Sequence, residues 1–183
     1  AEILCPRSYP IGTKRICIDT GYFETYNREN VKLVDISKKP IQRLVTDGII
    51  VDDQLYAFDS IIFATGFDAM TGSIFNVDIK GRDGLALKEK WNAGPKTYLG
   101  LMSASFPNLF MITGPGSPSV KSNMIMSIEQ HVDLVIETLL SMRRNGLSVV
   151  EPELEAENKW VDHVQEVANK TLFPQANSWY MGA

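Results

Sequence analysis

The sequence predicts an α/β fold. Runs of β-branched and aromatic residues that end on glycine alternate with turn-rich connections, and two segments in the second half carry apolar residues at helical spacing. The clearest strand signal is Phe58-Asp59-Ser60-Ile61-Ile62-Phe63-Ala64-Thr65-Gly66-Phe67-Asp68. An apolar run of this kind suits a strand covered on both faces, and the glycine after it permits a sharp turn and close approach of backbone to a ligand.

The elements follow in order. A loop leads to a strand at Arg15 to Ile18, a short turn or helix around Tyr22 to Tyr26, and a strand at Val31 to Asp35. A hairpin follows, with arms Ile41 to Val45 and Ile49 to Val51, and Asp47-Gly48 supplying the positive dihedrals of a tight turn. After the Ser60 to Ala64 strand, residues 72 to 96 hold glycine-rich turns and a short helix near Leu85 to Trp91. Strands at Thr97 to Leu101 and Leu109 to Ile112 bracket Phe106-Pro107-Asn108.

A long helix starts at about Asn123 with Ser122 as its N-cap, and buries Ile125, Ile128, Val132, Val135, Ile136, Leu139 and Met142 on one face. Arg143, Arg144 and Gly146 close it, cations complementing the carbonyl end and glycine permitting a left-handed exit. A second helix starts at Pro152 with Trp160, Val161, Val164, Val167 and Ala168 on one side.

Composition narrows the function classes. A net charge of −4 is wrong for a nucleic-acid binder, which needs clustered lysine and arginine to neutralise phosphate. No apolar run reaches the roughly 18 to 20 residues that span a bilayer. Two histidines and two cysteines, Cys5 and Cys17, assemble neither a zinc site nor a disulfide scaffold, and the expected state of the cysteines is buried and reduced.

A series of short motifs runs through the chain in order: Gly12-Thr13-Lys14-Arg15, Tyr26-Asn27-Arg28-Glu29-Asn30-Val31, Phe63 to Asp68, Lys90-Trp91 with Gly94-Pro95, and Phe106-Pro107-Asn108-Leu109-Phe110. Gly114-Pro115-Gly116-Ser117-Pro118-Ser119, Ser127-Ile128-Glu129-Gln130-His131 and Ser178-Trp179-Tyr180 complete it. In this order and spacing the series resembles the C-terminal part of flavin-dependent Baeyer-Villiger monooxygenases of the phenylacetone, steroid and cyclohexanone monooxygenase kind.

The resemblance implies part of a three-layer flavoprotein with two Rossmann-like dinucleotide-binding domains, incomplete at its N-terminus. Residues 1–58 would end the NADPH-binding domain and carry a connecting hairpin, and residues 59–183 would form the C-terminal part of the FAD-binding domain. The Gly-x-Gly-x-x-Gly turns that open such domains are absent, and so is the family's Phe-x-Gly-x-x-x-His-x-x-x-Trp signature. The chain therefore reads as a fragment whose partner is the missing N-terminal half of the same enzyme, inactive alone and cytoplasmic in location. Its apolar faces, notably those of the long helix and the Ser60 to Ala64 strand, would be left uncovered.

The implied activity uses FAD, NADPH and molecular oxygen to convert ketones to esters or lactones through a flavin C4a-peroxide. An N- or S-oxygenating flavin monooxygenase, or a non-catalytic module that kept the flavoprotein shell, is the alternative. By resemblance Arg15 is the catalytic residue. A guanidinium that stays charged can hold negative charge on oxygen without giving up a proton, whereas residue type alone suggests only a surface arginine at a strand start.

Lys14 matches the lysine that meets the 2′-phosphate of NADPH, and Trp179 matches a tryptophan near the nicotinamide. Thr65 and Gly66 would pass close to the cofactor. Met124 would contact FAD from the start of the long helix, whose N-terminal N–H groups favour a partial anion on reduced flavin. Ser119, Val120, Lys121 and Ser122 are the expected pocket residues, Lys121 being a departure from the small or apolar side chain expected there. His131 and His163 read as structural or surface histidines within helices.

Overall fold

The computed structural model describes residues 2–14, 16–117, 122–176 and 180. They fall into two compact units, one taking residues 1–8 and 15–66 and the other residues 9–14 and 67–183.

In the first unit, β1 (Ile41–Val45), β2 (Gly48–Val51) and β3 (Gln54–Ala57) form an antiparallel meander in the order β1-β2-β3. The hairpin thus forms with a third strand that sequence reading missed. Val45 pairs with Gly48, and a register irregularity lies between Ile41 and Arg43. Gln42, at that irregularity, accepts from the Asp53 N–H through Oε1 at 2.9 Å and donates from Nε2 to Asp53 Oδ1 at 3.1 Å, bracing the second turn.

The left-handed turn residues are Asp52 (φ 52°) and Asp53 (φ 59°), as a two-residue turn matched to strand twist requires, rather than Asp47. Gly48 matters for close approach: a Cβ on it would fall 1.9 Å from the Tyr56 carbonyl oxygen. Upstream, α1 (Tyr22–Thr25) starts with the Tyr22 N–H donating to Asp19 Oδ1 at 2.7 Å.

Several expected strands do not form. Residues 16–18, 31–35, 60–64 and 109–112 belong to no ladder among the described residues, which hold only the antiparallel sheet. A strand needs a neighbour along its row of N–H and C=O groups; residues 109–112 make one such contact, the Met111 N–H donating to the Leu101 carbonyl at 2.7 Å, and Ile62 is 91% exposed. Thr97 to Leu101 is instead a tight loop, with Leu99 (φ 57°) and Gly100 (φ 69°) left-handed and a single bridge from Tyr98 to Met102. Of the Rossmann-like, three-layer arrangement that the resemblance implies, the described residues hold one antiparallel sheet and the helices of the second unit.

The second unit holds α2 (Gly72–Phe75), α3 (Leu87–Lys90), α4 (Met124–Arg144) and α5 (Leu154–Asn169). Its apolar core is Leu87, Trp91, Phe106 and Met111, with Ile74, Phe75, Ile79, Leu85 and Leu109 packed around it. Gly81 lets Ser105 pass, since a Cβ there would sit 2.1 Å from the Ser105 carbonyl oxygen.

α4 starts at the expected place, but its cap is Asn123, whose Oδ1 accepts the Ile125 N–H at 3.0 Å, in place of Ser122. It ends as expected: Gly146 is left-handed at φ 64°, and the Leu147 N–H reaches back to the Met142 carbonyl at 2.9 Å. Its buried residues are Ser127 and His131; Ile125, Ile128, Val132, Ile136 and Leu139 are exposed. Val135 and Met142 are half-buried, so the stripe read as one apolar face is mostly uncovered, as the resemblance to part of a larger enzyme leads one to expect of the long helix.

α5 begins two residues later than Pro152, and Val167 on its expected inner side is exposed. The residue it buries is Glu157. Cys5 and Cys17 are free, as expected, but exposed instead of buried.

Glu157 is 0% exposed and fully engaged. Lys90 Nζ donates to Oε1 at 2.9 Å and Oε2 at 2.7 Å, and the Ala104 N–H donates to Oε1 at 2.8 Å. The Ser103 hydroxyl lies 3.0 Å from Oε1 and 2.9 Å from the Lys96 carbonyl, and donates to one of them at a time. Lys90 Nζ also donates to the Ala104 carbonyl at 2.6 Å. Removing the carboxylate strands a buried ammonium, so Glu157→Ala is expected to cost about 3–5 kcal/mol. Glu157→Leu combined with Lys90→Met is expected to recover most of that loss, measured as the shift in urea unfolding midpoint across the double-mutant cycle.

Candidate cofactor-binding site

Of the residues singled out from the sequence, Arg15, Ser119, Val120, Lys121 and Trp179 lie outside the described residues. Lys14, Thr65, Gly66, Ser122 and Met124 lie within them. Lys14 follows Thr13, which is buried and donates its hydroxyl to the Pro10 carbonyl at 2.5 Å; the Lys14 ammonium stands 4.5 Å from the centre of the Tyr9 ring. Thr65 is exposed. Gly66 has φ +90° with nothing within 4 Å of where a Cβ would be, so the backbone is open to close approach. Ser122 is exposed, and Met124, half-buried, is the first residue of α4.

A cavity of about 80 Å³ beside the Gly12 motif is lined by Ile11, Gly12, Thr13, Thr171, Leu172 and Phe173. That is far below the roughly 300 Å³ at which pockets for cofactor-sized ligands begin. It is not the cofactor site.

The built element is the loop from Thr113 to Ser117 that leads towards α4. Each of its residues is held from a different direction. The Thr113 N–H donates to His131 Nδ1 at 3.0 Å, and the Gly114 N–H donates to the Gly100 carbonyl at 3.0 Å. The Pro115 carbonyl accepts the Thr97 hydroxyl at 2.6 Å, and the Gly116 carbonyl accepts the Trp160 indole N–H at 3.1 Å. The Ser117 N–H closes a turn on the Gly114 carbonyl at 3.1 Å.

The glycines are sterically required. A Cβ on Gly114 would lie 2.6 Å from the Gly100 carbonyl oxygen, and one on Gly100 would lie 2.4 Å from Ser117 Cβ. Leu99, Ser105 and Asn108 have positive φ, and so does Thr113 at the start of the loop. A β-branched residue such as Thr113 pays about 1–3 kcal/mol for that conformation, and strain of this kind concentrates where geometry serves function.

The start of α4 has no acidic residue in its first turn. Its N–H groups without intrahelical acceptors and its positive dipole end favour a partial anion, with no carboxylate of the helix competing for them. Within the second unit, this acid-free helix start suits the partial anion of a flavin, and the cation of Lys14 suits a nucleotide phosphate.

Sequence reading placed the loop and the helix start but missed what holds them. Trp160 was expected to pack inward, yet its use is the hydrogen bond to Gly116. His131 is structural as read, but its contact is with the loop rather than the core. The signal available was a histidine one turn after Ser127, at the edge of the apolar stripe of α4. His163 is exposed, with its ring 5.7 Å from that of Trp160.

The fold recurs in solved flavin- and nicotinamide-dependent monooxygenases. OTEMO in complex with FAD and NADP matches at 42% identity and TM-score 0.91, over 97% of this chain and 34% of that one. Oxidized steroid monooxygenase bound to NADP matches at 48% identity and TM-score 0.90, over 99% and 35%. No family model matches the chain.

Over nearly its whole length the chain is similar to Baeyer-Villiger monooxygenases. One of these, from Pseudooceanicola batsensis, is 41% identical over 184 residues, covering 100% of this chain and 33% of that protein. A phenazine N-monooxygenase of Lysobacter antibioticus is 38% identical, with 100% and 33% covered. The chain spans about a third of the length of these relatives.

Burial holds the His131 imidazole below its usual pKa of 6.5. The unfolded chain then binds a proton before the folded one does as pH falls, so this group's contribution to stability is complete above about pH 6.5 and is lost on acidification towards the lowered folded value. The melting temperature is expected to fall further between pH 7 and pH 5 in the unaltered chain than in His131→Asn, a difference that thermal scans at the two pH values measure.

Proposed function

We propose that this chain is part of an NADPH- and FAD-dependent monooxygenase that converts ketones to esters or lactones. The single observation that carries the reading is similarity to Baeyer-Villiger monooxygenases over nearly every residue of the chain, at 41% identity and with matching backbone geometry in FAD and NADP complexes. The braced Gly114 loop and acid-free start of α4 support it, because they supply a rigid, donor-rich edge of the kind a flavin needs. The substrates are a ketone and molecular oxygen. The complete protein adds the nucleotide-binding glycine turns that this sequence lacks, and we place it in the cytoplasm.

In this reading residues 1–58 close the NADPH-binding domain and residues 59–183 belong to the FAD-binding domain. When bound, the flavin supplies oxygen activation and NADPH supplies the reducing equivalents. The chain's own residues bind and orient. The start of α4 at Met124 offers N–H groups to the electron-rich edge of the flavin, and Thr65 and Gly66 bring bare backbone to the cofactor. Lys14 meets the 2′-phosphate as a point charge, and Trp179 shields the nicotinamide end. Arg15 holds developing negative charge on oxygen without donating its proton. Ser119, Val120, Lys121 and Ser122 shape the substrate pocket.

A second reading, oxygenation of nitrogen or sulfur, is favoured by the similarity to the phenazine N-monooxygenase. Product analysis with a ketone and a thioether separates the two, and sulfoxide without ester supports the second.

Two outcomes test the first reading. Arg15→Ala in the complete enzyme is expected to abolish ester formation, a loss of at least about 100-fold for removal of one charge-stabilising group, while FAD stays bound. Unimpaired turnover would remove Arg15 from the mechanism. The 183-residue polypeptide alone is expected to bind no stoichiometric FAD, since it lacks a pyrophosphate-binding turn; visible flavin absorbance that co-elutes with it would overturn this.

A further inference from the structure

The loop from Thr113 to Ser117 takes one of its supports from the helix it precedes. Met124, Ser127 and His131 lie at helical spacing on the inward side of α4, and His131 is the buried member whose ring reaches back to the loop. Its Nδ1 is 3.0 Å from the Thr113 nitrogen and can only be the acceptor, because the Thr113 N–H is the donor. Thr113 is left-handed at φ 52°, an unfavourable state for a β-branched side chain. Its successor Gly114 packs so closely on Gly100 that no side chain fits between them. The path of the loop is therefore decided at Thr113, and the group that holds Thr113 is the imidazole.

We infer that His131 is a positioning residue whose Nδ1 holds the Thr113 N–H, and with it the left-handed turn that opens the Gly114 to Ser117 loop. The functional weight of this rests on the reading of the loop as the flavin-facing edge; the geometry stands without it. The other supports fasten Gly114, Pro115 and Gly116 to the 97–101 loop and to α5. Among these supports His131 alone ties the loop to α4, so it sets where the loop stands relative to the start of that helix.

A packing role and an acceptor role predict opposite orders among substitutions. Leucine fills the volume of a buried ring and offers no acceptor. Asparagine is smaller and leaves a void, but its Oδ1 stands close to where Nδ1 was. Glutamine carries its oxygen one bond further, near the Nε2 position. The measurement is hydrogen exchange by mass spectrometry on the peptide covering residues 109–117, in the unaltered chain and in H131L, H131N and H131Q, with a peptide from α5 as the control for global opening.

H131L and H131Q are expected to exchange about five to ten times faster in that peptide, the fold-change of one lost hydrogen bond, with the α5 peptide unchanged. H131N is expected to match the unaltered chain. The inference is overturned if H131L exchanges like the unaltered chain, or if H131N exchanges faster than H131L. Should H131L fail to fold, the comparison of H131N with H131Q decides, because both keep a polar amide and differ in where its oxygen lies. No flavin or turnover enters the readout, so failure of the oxygenase reading and failure of this inference are separately visible.

Discussion

The second unit depends on one buried ion pair. Glu157 enters from α5, Lys90 from the end of α3, and between them lie the Ser103 hydroxyl and the Ala104 N–H. The carboxylate thus joins a helix to a loop distant in sequence and to the residue preceding Trp91 of the core. Hydrogen bonds satisfy both of its oxygens, which is the condition under which burying charge is tolerable. Trp160, one turn further along α5, then stands where it can reach Gly116. The placement of the Gly114 loop is in this sense a consequence of the Glu157 contact.

A second ion pair sits near the first. Arg82 donates to Glu151 through Nε at 2.7 Å, raising its own pKa and lowering that of the carboxyl. Because the Glu151 pKa lies below its usual 4.5, the stability this pair contributes is present above that pH and is lost as pH falls through the lowered value. Arg82 is about half exposed, so solvent and salt weaken this pair in a way they do not weaken the pair of Glu157 with Lys90.

Local chemistry was legible in the sequence where it is decided locally. The ends of α4 follow from Asn123 and Gly146, and the hairpin from the alternation around Gly48, with errors of one residue in the cap and in which turn is left-handed. The strands were not legible in the same way. Ser60 to Ala64 has every property of a buried strand, but a strand exists only with a neighbour, and the neighbour is not a property of the segment. The apolar stripe of α4 shows the same limit: periodicity reports that a face is apolar, and not what covers it, and the stripe is mostly uncovered as the resemblance implies. At the site, Gly114 and Gly116 were visible as punctuation, whereas the side chains that hold the loop at Thr113, Pro115 and Gly116, those of His131, Thr97 and Trp160, are up to 44 residues away in sequence. Glu157 was another missed signal, an acid within the stripe of α5 that otherwise carries Trp160, Val161 and Val164.

Asn108 offers a different view of the second unit. It is left-handed at φ 59°, its N–H donates to the Val150 carbonyl at 2.9 Å, its Oδ1 accepts the Val150 N–H at 3.0 Å, and its Nδ2 donates to the Ser148 carbonyl at 3.1 Å. One side chain thereby imitates a strand neighbour and fastens together two points 40 residues apart. Everything between them, the Gly114 loop and all of α4, is a closed ring of chain. Bringing such ends together costs about 3 kcal/mol of loop entropy, set against hydrogen bonds worth about 1 kcal/mol each. On these magnitudes the clamp only about offsets the closure it requires, so the core of Leu87, Trp91, Phe106 and Met111 has to supply the surplus. Because closure entropy grows only with the logarithm of ring size, the turn after α4 is where this architecture can absorb added residues without disturbing the loop.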